Sequence, residues 1–523
     1  MKSIGQGLHA RYACALLAGA YPLVHFYARN AQCYTGEQIL RSTGAVFLAI
    51  SAVFALLVAW IGRRPAAQGV ARLDPFCLAA LPAGAYFALS FQPLWNGIQA
   101  RGWPLPADVL LLLAAFALIT AAAWKIGGKW LSALLLAAVG IEGGQWARAA
   151  LTRDQTTACA EVPPAQRALY DSIRLRATPD IYFVALESYH GPQWLADFYG
   201  TDNQPFRREL ENLGFHVHAD VFANYFTTLA SLHAAFSMRH HFYSISAGDA
   251  DSTRTRALIA GDDYNPVLSI LKANGYRVEY LLGNHYLCLP EKAEDTIDAT
   301  VPEKSGSLAP LLALIWPYGR HAESSTMAGY RDLLLAQAAA PRAAGPPRFV
   351  FLKTGLEHTP RGPHDPEAWK RKYLGLLAEE NRFLSRFCRA LAEHNPDAIV
   401  ILMGDHGAWG YASRWWTDAA DPNAYFRDNG LDPVGITRDL ADVFLAVRFG
   451  KEPAEPLAVR SPVNLFRELF FRLSGDGRLR ATRAADDSYQ TVRHQLYRCV
   501  RNAEPLATWE RVPTDGNEQP LAP

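Results

Sequence analysis

Three stretches of this chain bring together residue types suited to chemistry at a divalent metal. The first is AIVILMGDHG, residues 398–407, where six apolar residues run into Gly404 and release Asp405 and His406. A carboxylate beside an imidazole suits a cation of intermediate hardness. The second is DIYFVALE, residues 180–187, an apolar run that ends in a further candidate ligand, Glu187. The third is NYFTTLASLHAAFSM, residues 224–238, with hydroxyls at Thr227, Thr228 and Ser231. Leu229, Leu232, Ala235 and Phe236 recur there at helical spacing, so Thr227 or Thr228 stands where a helix begins. An N-cap threonine is the purely structural reading. The chemical reading is a hydroxyl beside backbone N–H groups that bind phosphate, which is where a phosphoryl-accepting nucleophile belongs.

The elements that must position these residues read as an α/β fold. Residues 180–187 and the run from Ile399 are strands buried on both faces, and ligands in open parallel sheets lie beyond the carboxyl ends of such strands. Around them, 205–213 reads as helix, 217–222 as strand, 264–274 as helix and 276–282 as strand, closing in Gly283-Asn284-His285. The apolar run 349–352 is a further strand, followed by Glu357-His358-Thr359-Pro360. A helix of about 25 residues at 369–393 turns Leu374, Leu377, Phe383, Phe387 and Leu391 toward the core. Residues 443–449 read as strand, and 461–473 as helix with Ser461 as N-cap and Pro462 at its first position. Such βα alternation implies a mostly parallel sheet with helices on both faces.

The first third differs in kind. Apolar spans at 12–28, 43–61, 76–94, 109–126 and 130–146 are each near the roughly 20 residues that cross a bilayer. The short loops on one side carry Lys2, Arg11, Arg63, Arg64, Arg72, Lys125 and Lys129; the other side carries Arg29, Arg41 and Arg101. Positive residues stay cytoplasmic, so the N-terminus is expected inside and everything after residue 146 outside. The expected organisation is a transmembrane domain at 1–150, a juxtamembrane connector at 151–178, a soluble domain at 179–508 and a fraying tail at 509–523. A net charge of +1 gives no pull toward nucleic acid. The seven cysteines show no zinc spacing; Cys159, Cys288, Cys388 and Cys499 lie in the exported part, where pairing is open to them.

With these residues in hand, the chain resembles the sulfatase-like branch of the alkaline phosphatase superfamily, in particular membrane-anchored lipoteichoic acid synthases and phosphoethanolamine transferases. The resemblance implies an alkaline-phosphatase-like sheet behind a five-helix membrane bundle. It implies one divalent metal, Mn²⁺ or Zn²⁺, on Glu187, Thr228, Asp405 and His406. Thr228 takes the nucleophile's role because the family has a serine three residues later, here Ser231. His358 resembles a histidine that helps bind the phosphoryl group or a second metal, and the closing SPVNLFRELF and DDSYQ resemble the family's C-terminal part. A Thr cannot become formylglycine, so sulfate-ester hydrolysis is disfavoured. Ala408-Trp409 follow the Asp-His-Gly where phosphoethanolamine transferases have Glu-Ser, and no His appears before His494.

The implied reaction moves a phospholipid headgroup, phosphoglycerol or phosphoethanolamine, through a Thr228-linked intermediate onto an extracytoplasmic glycan or lipid. His358 is then catalytic, and His285 and Arg361 are substrate-binding candidates. The alternatives are a sulfatase-like phosphodiesterase or sulfuric ester hydrolase, and a non-catalytic membrane protein that binds a lipid or glycan. The expected seat is a bacterial inner membrane.

Overall fold

The computed structural model describes residues 162–242, 263–282, 297–301, 319–342, 345–356, 365–410, 419–451, 455–493 and 495–513, with isolated positions between 140 and 144 and between 255 and 261. The chain divides into two units, residues 1–157 with 305–322 and residues 158–304 with 323–523, and the described elements fall mainly in the second. Apart from Gly140, Ile141 and Gly144 in the fifth, the residues of the five expected spans lie outside the described residues. Among the described residues, no helix is long and apolar enough to cross a membrane.

Seven strands form the main sheet: β1 (Ile181–Glu187), β2 (Phe215–Val217), β3 (Arg277–Leu281), β4 (Ala299–Val301), β5 (Arg348–Gly355), β6 (Ile399–Gly404) and β7 (Leu445–Phe449). Their order is β2-β7-β6-β1-β5-β3-β4. The pairs β6–β1, β1–β5, β5–β3 and β3–β4 are parallel, whereas β7 is antiparallel to both β6 and β2. The mixed α/β architecture with a mostly parallel centre is therefore as expected.

Alternate residues of the central strands enter different cores, which is why these strands read as unbroken apolar runs. Ile181, Phe183, Phe349, Phe351, Ile399 and Ile401 pack on one face, and Tyr182, Val184, Val350, Leu352, Val400 and Leu402 on the other. Five helices matter most to these layers: α1 (Pro164–Ser172), α2 (Gln204–Asn212), α3 (Thr228–Ser237), α4 (Pro266–Ala273) and α5 (Pro366–His394). Leu229, Leu232 and Phe236 of α3 and Val267, Ile270 and Leu271 of α4 cover the first face. Phe206 and Leu210 of α2, with Leu377, Phe383, Phe387 and Leu391 of α5, cover the second.

Several boundaries differ from expectation for local reasons. Residues expected to be connector form α1, which begins at Pro164 and buries Tyr170 in the first core. The strand expected at 217–222 is instead Phe215–Val217, because Asp220 takes a left-handed φ of 51° that breaks the extended run. α5 starts a turn early, where the Asp365 carboxylate accepts from the Glu367 N–H and Pro366 fills the first position. Ser461 does not cap the following helix: its hydroxyl donates to Asp486, a 3₁₀ turn occupies Pro462–Asn464, and helix proper begins at Leu465.

A second, three-stranded antiparallel sheet, β8 (Ser488–Val492), β9 (Gln495–Arg501) and β10 (Glu504–Arg511), was not anticipated. β10 continues past the expected end of the domain at 508, and Trp509 is buried against Phe226 and Phe426. Cys388, in α5, and Cys499, in β9, are buried free thiols, while Cys159 and Cys288 lie outside the described residues.

Candidate metal centre

The register of β1 and β6 does most of the assembly. Leu186 is paired with Gly404, and the Asp405 N–H donates to the Leu186 carbonyl at 3.0 Å. Glu187 and Asp405 thus leave adjacent parallel strands side by side, at the carboxyl edge where such sheets bind ligands. Asp405 Oδ1 accepts from the Ser188 and His406 N–H groups at 3.0 and 2.8 Å, which fixes the carboxylate. Its other oxygen, Oδ2, is buried and accepts no hydrogen bond among the described residues. His406 Nδ1 lies 2.7 Å from the Gly407 carbonyl. That contact requires the proton on Nδ1 and turns Nε2 inward as the ligating atom.

Helix α3 brings the hydroxyl. Thr227 occupies the cap position with extended backbone, but its side chain makes no capping bond. Thr228, the first helical residue, donates to Glu187 Oε1 at 3.0 Å and lies 3.2 Å from His406 Nε2. The hydroxyls of Thr227 and Ser231 have no hydrogen-bond partner among the described residues. Of the two candidate threonines, then, Thr228 is the one that reaches Glu187 and His406.

One ligand atom each from Glu187, Asp405 and His406 lies within 4.8 Å of the others. Two carboxylate oxygens and an imidazole nitrogen, with a hydroxyl alongside, make a donor set that suits a divalent ion with one position open. The electrostatics point the same way. Burial, and then the Glu187 charge, push the Asp405 carboxyl above its ordinary range. Burial opposes charge on His406, yet Asp405, Glu187 and the Gly407 carbonyl together hold its pKa above the usual value. Groups that crowd each other's titration in this way are relieved by a cation among them.

The turn carrying Asp405 and His406 is clamped from outside. Gly407 donates to the Leu440 carbonyl at 2.9 Å and passes so close to α6 (Pro433–Ala441) that a Cβ there would sit 1.9 Å from the Asp439 carbonyl oxygen. His190 Nε2 accepts from the Ala408 N–H at 3.2 Å, so Nδ1 carries the proton toward the Asp442 carbonyl at 3.3 Å. Burial lowers the His190 pKa to about 3, which keeps the ring neutral for this role. On the other flank, Gly355 takes a φ of 133° open to glycine, and a Cβ there would meet the Glu187 nitrogen at 2.3 Å.

Sequence reasoning missed His190 and Lys353. The signals were a histidine three residues beyond Glu187 and a cation directly after the apolar run of β5, where the Lys353 ammonium pairs with Glu187 Oε2. His285, His358 and Arg361 lie outside the described residues.

No protein-family model matches the chain, and no curated protein matches it in sequence. Solved structures similar to it include the C-terminal periplasmic domain of EcEptC from Escherichia coli in complex with Zn, at 11% identity over 57% of this chain and 82% of that one, TM-score 0.36. They also include the lipoteichoic acid synthase LtaP from Listeria monocytogenes, at 11% identity over 68% and 92%, TM-score 0.36. A third is the integral membrane lipooligosaccharide phosphoethanolamine transferase A (EptA) from Neisseria meningitidis, at 14% identity over 89% and 95%, TM-score 0.34. The last two are of the kinds that the motifs resemble. Identities and TM-scores this low set neither substrate nor reaction, which turn on the side chains above.

Proposed function

We propose that this chain is a metal-dependent transferase that moves a phospholipid headgroup, phosphoglycerol or phosphoethanolamine, through a Thr228-linked intermediate to an extracytoplasmic glycan or lipid. The observation that carries this reading is the Thr228 hydroxyl, 3.0 Å from Glu187 Oε1 and 3.2 Å from His406 Nε2 at the start of α3. Glu187, Asp405 and His406, with Thr228, would hold one Mn²⁺ or Zn²⁺. When bound there, the ion supplies the positive charge that acidifies the hydroxyl and polarises phosphoryl oxygens. The hydrogen bond to Glu187 holds the hydroxyl in one rotamer, and first-turn N–H groups of α3, uncapped by Thr227, favour the negative phosphoryl group.

The Thr228 oxygen attacks phosphorus in line; the bond to the diacylglycerol oxygen breaks, and diacylglycerol leaves with a proton. An acceptor hydroxyl then attacks the same phosphorus and releases Thr228. In this reading residues 1–150 are the membrane domain, 151–178 the connector and 179–508 the catalytic domain outside a bacterial inner membrane. His358 assists catalysis, and His285 and Arg361 assist substrate binding.

Intact-protein mass spectrometry of the chain given donor lipid without acceptor tests the reading. A headgroup adduct is expected on Thr228. Thr228→Ala abolishes adduct and turnover while costing about 1–3 kcal/mol of stability, as for one lost partner of a buried hydrogen bond. Thr227→Ala keeps both. An adduct discharged to water as fast as to acceptors makes the enzyme a hydrolase, and no adduct under any metal or lipid condition removes the covalent mechanism.

A further inference from the structure

Strand β5 carries Lys353 directly after the apolar run Phe349–Leu352, in register with Ala185 and two residues before Gly355, which is paired with Glu187. Its ammonium pairs with Glu187 Oε2, and the two side chains are only 12% and 13% exposed. The other oxygen, Oε1, keeps different company: Thr228 Oγ1 at 3.0 Å and His406 Nε2 at 3.4 Å. One carboxylate therefore presents one oxygen to a fixed cation of the chain and the other to the candidate metal centre. Sheet packing does not require a cation at this register, since an apolar residue of similar volume is often as stable as a largely buried ion pair.

We propose that Lys353 is a resident cation of the site: it limits Glu187 to a single oxygen for the divalent ion, and its ammonium gives a bound phosphoryl group a second positive contact beside Thr228. This inference rests on the metal-dependent reading above. It has a consequence opposite in sign to that of a structural clasp. An ammonium sharing a carboxylate with a divalent ion repels it, so removal of the charge should tighten ion binding. A clasp that merely holds Glu187 in place would, on removal, loosen the ligand and weaken ion binding. For the anion the direction is reversed: losing the ammonium weakens phosphate.

The experiment is calorimetric titration of the detergent-solubilised full chain, first with Mn²⁺ and then, ion-loaded, with inorganic phosphate. Wild type is expected to bind one ion per chain. Lys353→Met should bind Mn²⁺ about tenfold more tightly, as removal of one like charge near a largely buried site implies, and phosphate about tenfold more weakly, as loss of one charged contact implies. Lys353→Gln, which keeps a donor to Glu187 without charge, should shift both affinities in the same directions, and Lys353→Arg should restore both. Equal or weaker Mn²⁺ binding by the Met and Gln variants, or unchanged phosphate affinity, overturns the inference while leaving the metal reading intact. A wild type that binds no ion overturns the metal reading and this inference with it.

Discussion

Replacing Gly407 by alanine tests whether the turn bearing Asp405 and His406 is clamped as the distances imply. The new Cβ would lie 1.9 Å from the Asp439 carbonyl oxygen and 2.7 Å from its carbon, where ordinary contact begins at 3.4 Å, a shortfall of about 1.5 Å against backbone. The Asp439 side is held within α6, and the Gly407 side is tied by its N–H to Leu440 and by its carbonyl to His406. Neither can rotate away as a flexible side chain would. Overpacking of this kind costs about 1–3 kcal/mol, so the midpoint of chemical denaturation should fall. Relief requires His406 to move, and its Nε2 is only 3.2 Å from Thr228. Ion affinity should then drop by about 10- to 100-fold, the range for lost outer support of a ligand. Gly375→Ala is the control: it lies on the exposed face of α5 with nothing within 4 Å of the added Cβ. It should stabilise by up to about 1 kcal/mol through helix propensity and leave the ion untouched. If Gly407→Ala matches wild type in both denaturation and ion titration, the turn is not clamped and the geometric account of His406 is wrong.

Asp442 should make stability fall as pH rises. Burial, tempered by Arg438 at 3.2 Å, raises its pKa to about 7 from 3.8, so the folded chain binds a proton that the unfolded chain has lost between those values. Its contribution is complete below about pH 4 and gone above about pH 7, a change of at most about 4 kcal/mol. Asp442→Asn should therefore gain on wild type between pH 4.5 and pH 8 in urea denaturation; a difference that stays constant across that range would count against the buried carboxyl. If residues 1–150 span the membrane as proposed, reporter fusions after Arg72 and after Arg153 should report opposite compartments, cytoplasmic and exported respectively, from the loop-charge asymmetry. The same compartment for both would remove the five-span arrangement.

Much of the fold and of the candidate site was legible because burial on both faces leaves its mark on composition. The runs ending at Glu187 and Met403 read as interior strands, which places the polar residues at their ends at a sheet edge. The helices at 204–212, 266–273 and 366–394 were legible from apolar periodicity, and they cover the faces that this periodicity demands. Strand neighbours are another matter. An apolar run records that both faces are covered but not which strand lies beside it, so the adjacency of β1 and β6, on which the Glu187–Asp405 pairing depends, came only from the fold. The reversed direction of β7 was equally hidden, because antiparallel and parallel buried strands have the same pattern. So was the small sheet of β8, β9 and β10, whose alternation is broken by register shifts at Ser488 and Pro505.

By itself the sequence determined the α/β class, two strand-end carboxylates, one imidazole and a pair of candidate hydroxyls. Tertiary structure put the Thr228 hydroxyl within reach of Glu187 and His406, where the residue pattern alone had left Thr227 and Thr228 open and only the family resemblance had favoured Thr228. It also brought in His190 and Lys353. Their side chains act across 218 and 166 residues of chain, on Ala408 and Glu187, and no local pattern encodes contacts between segments that meet only when the sheet is assembled.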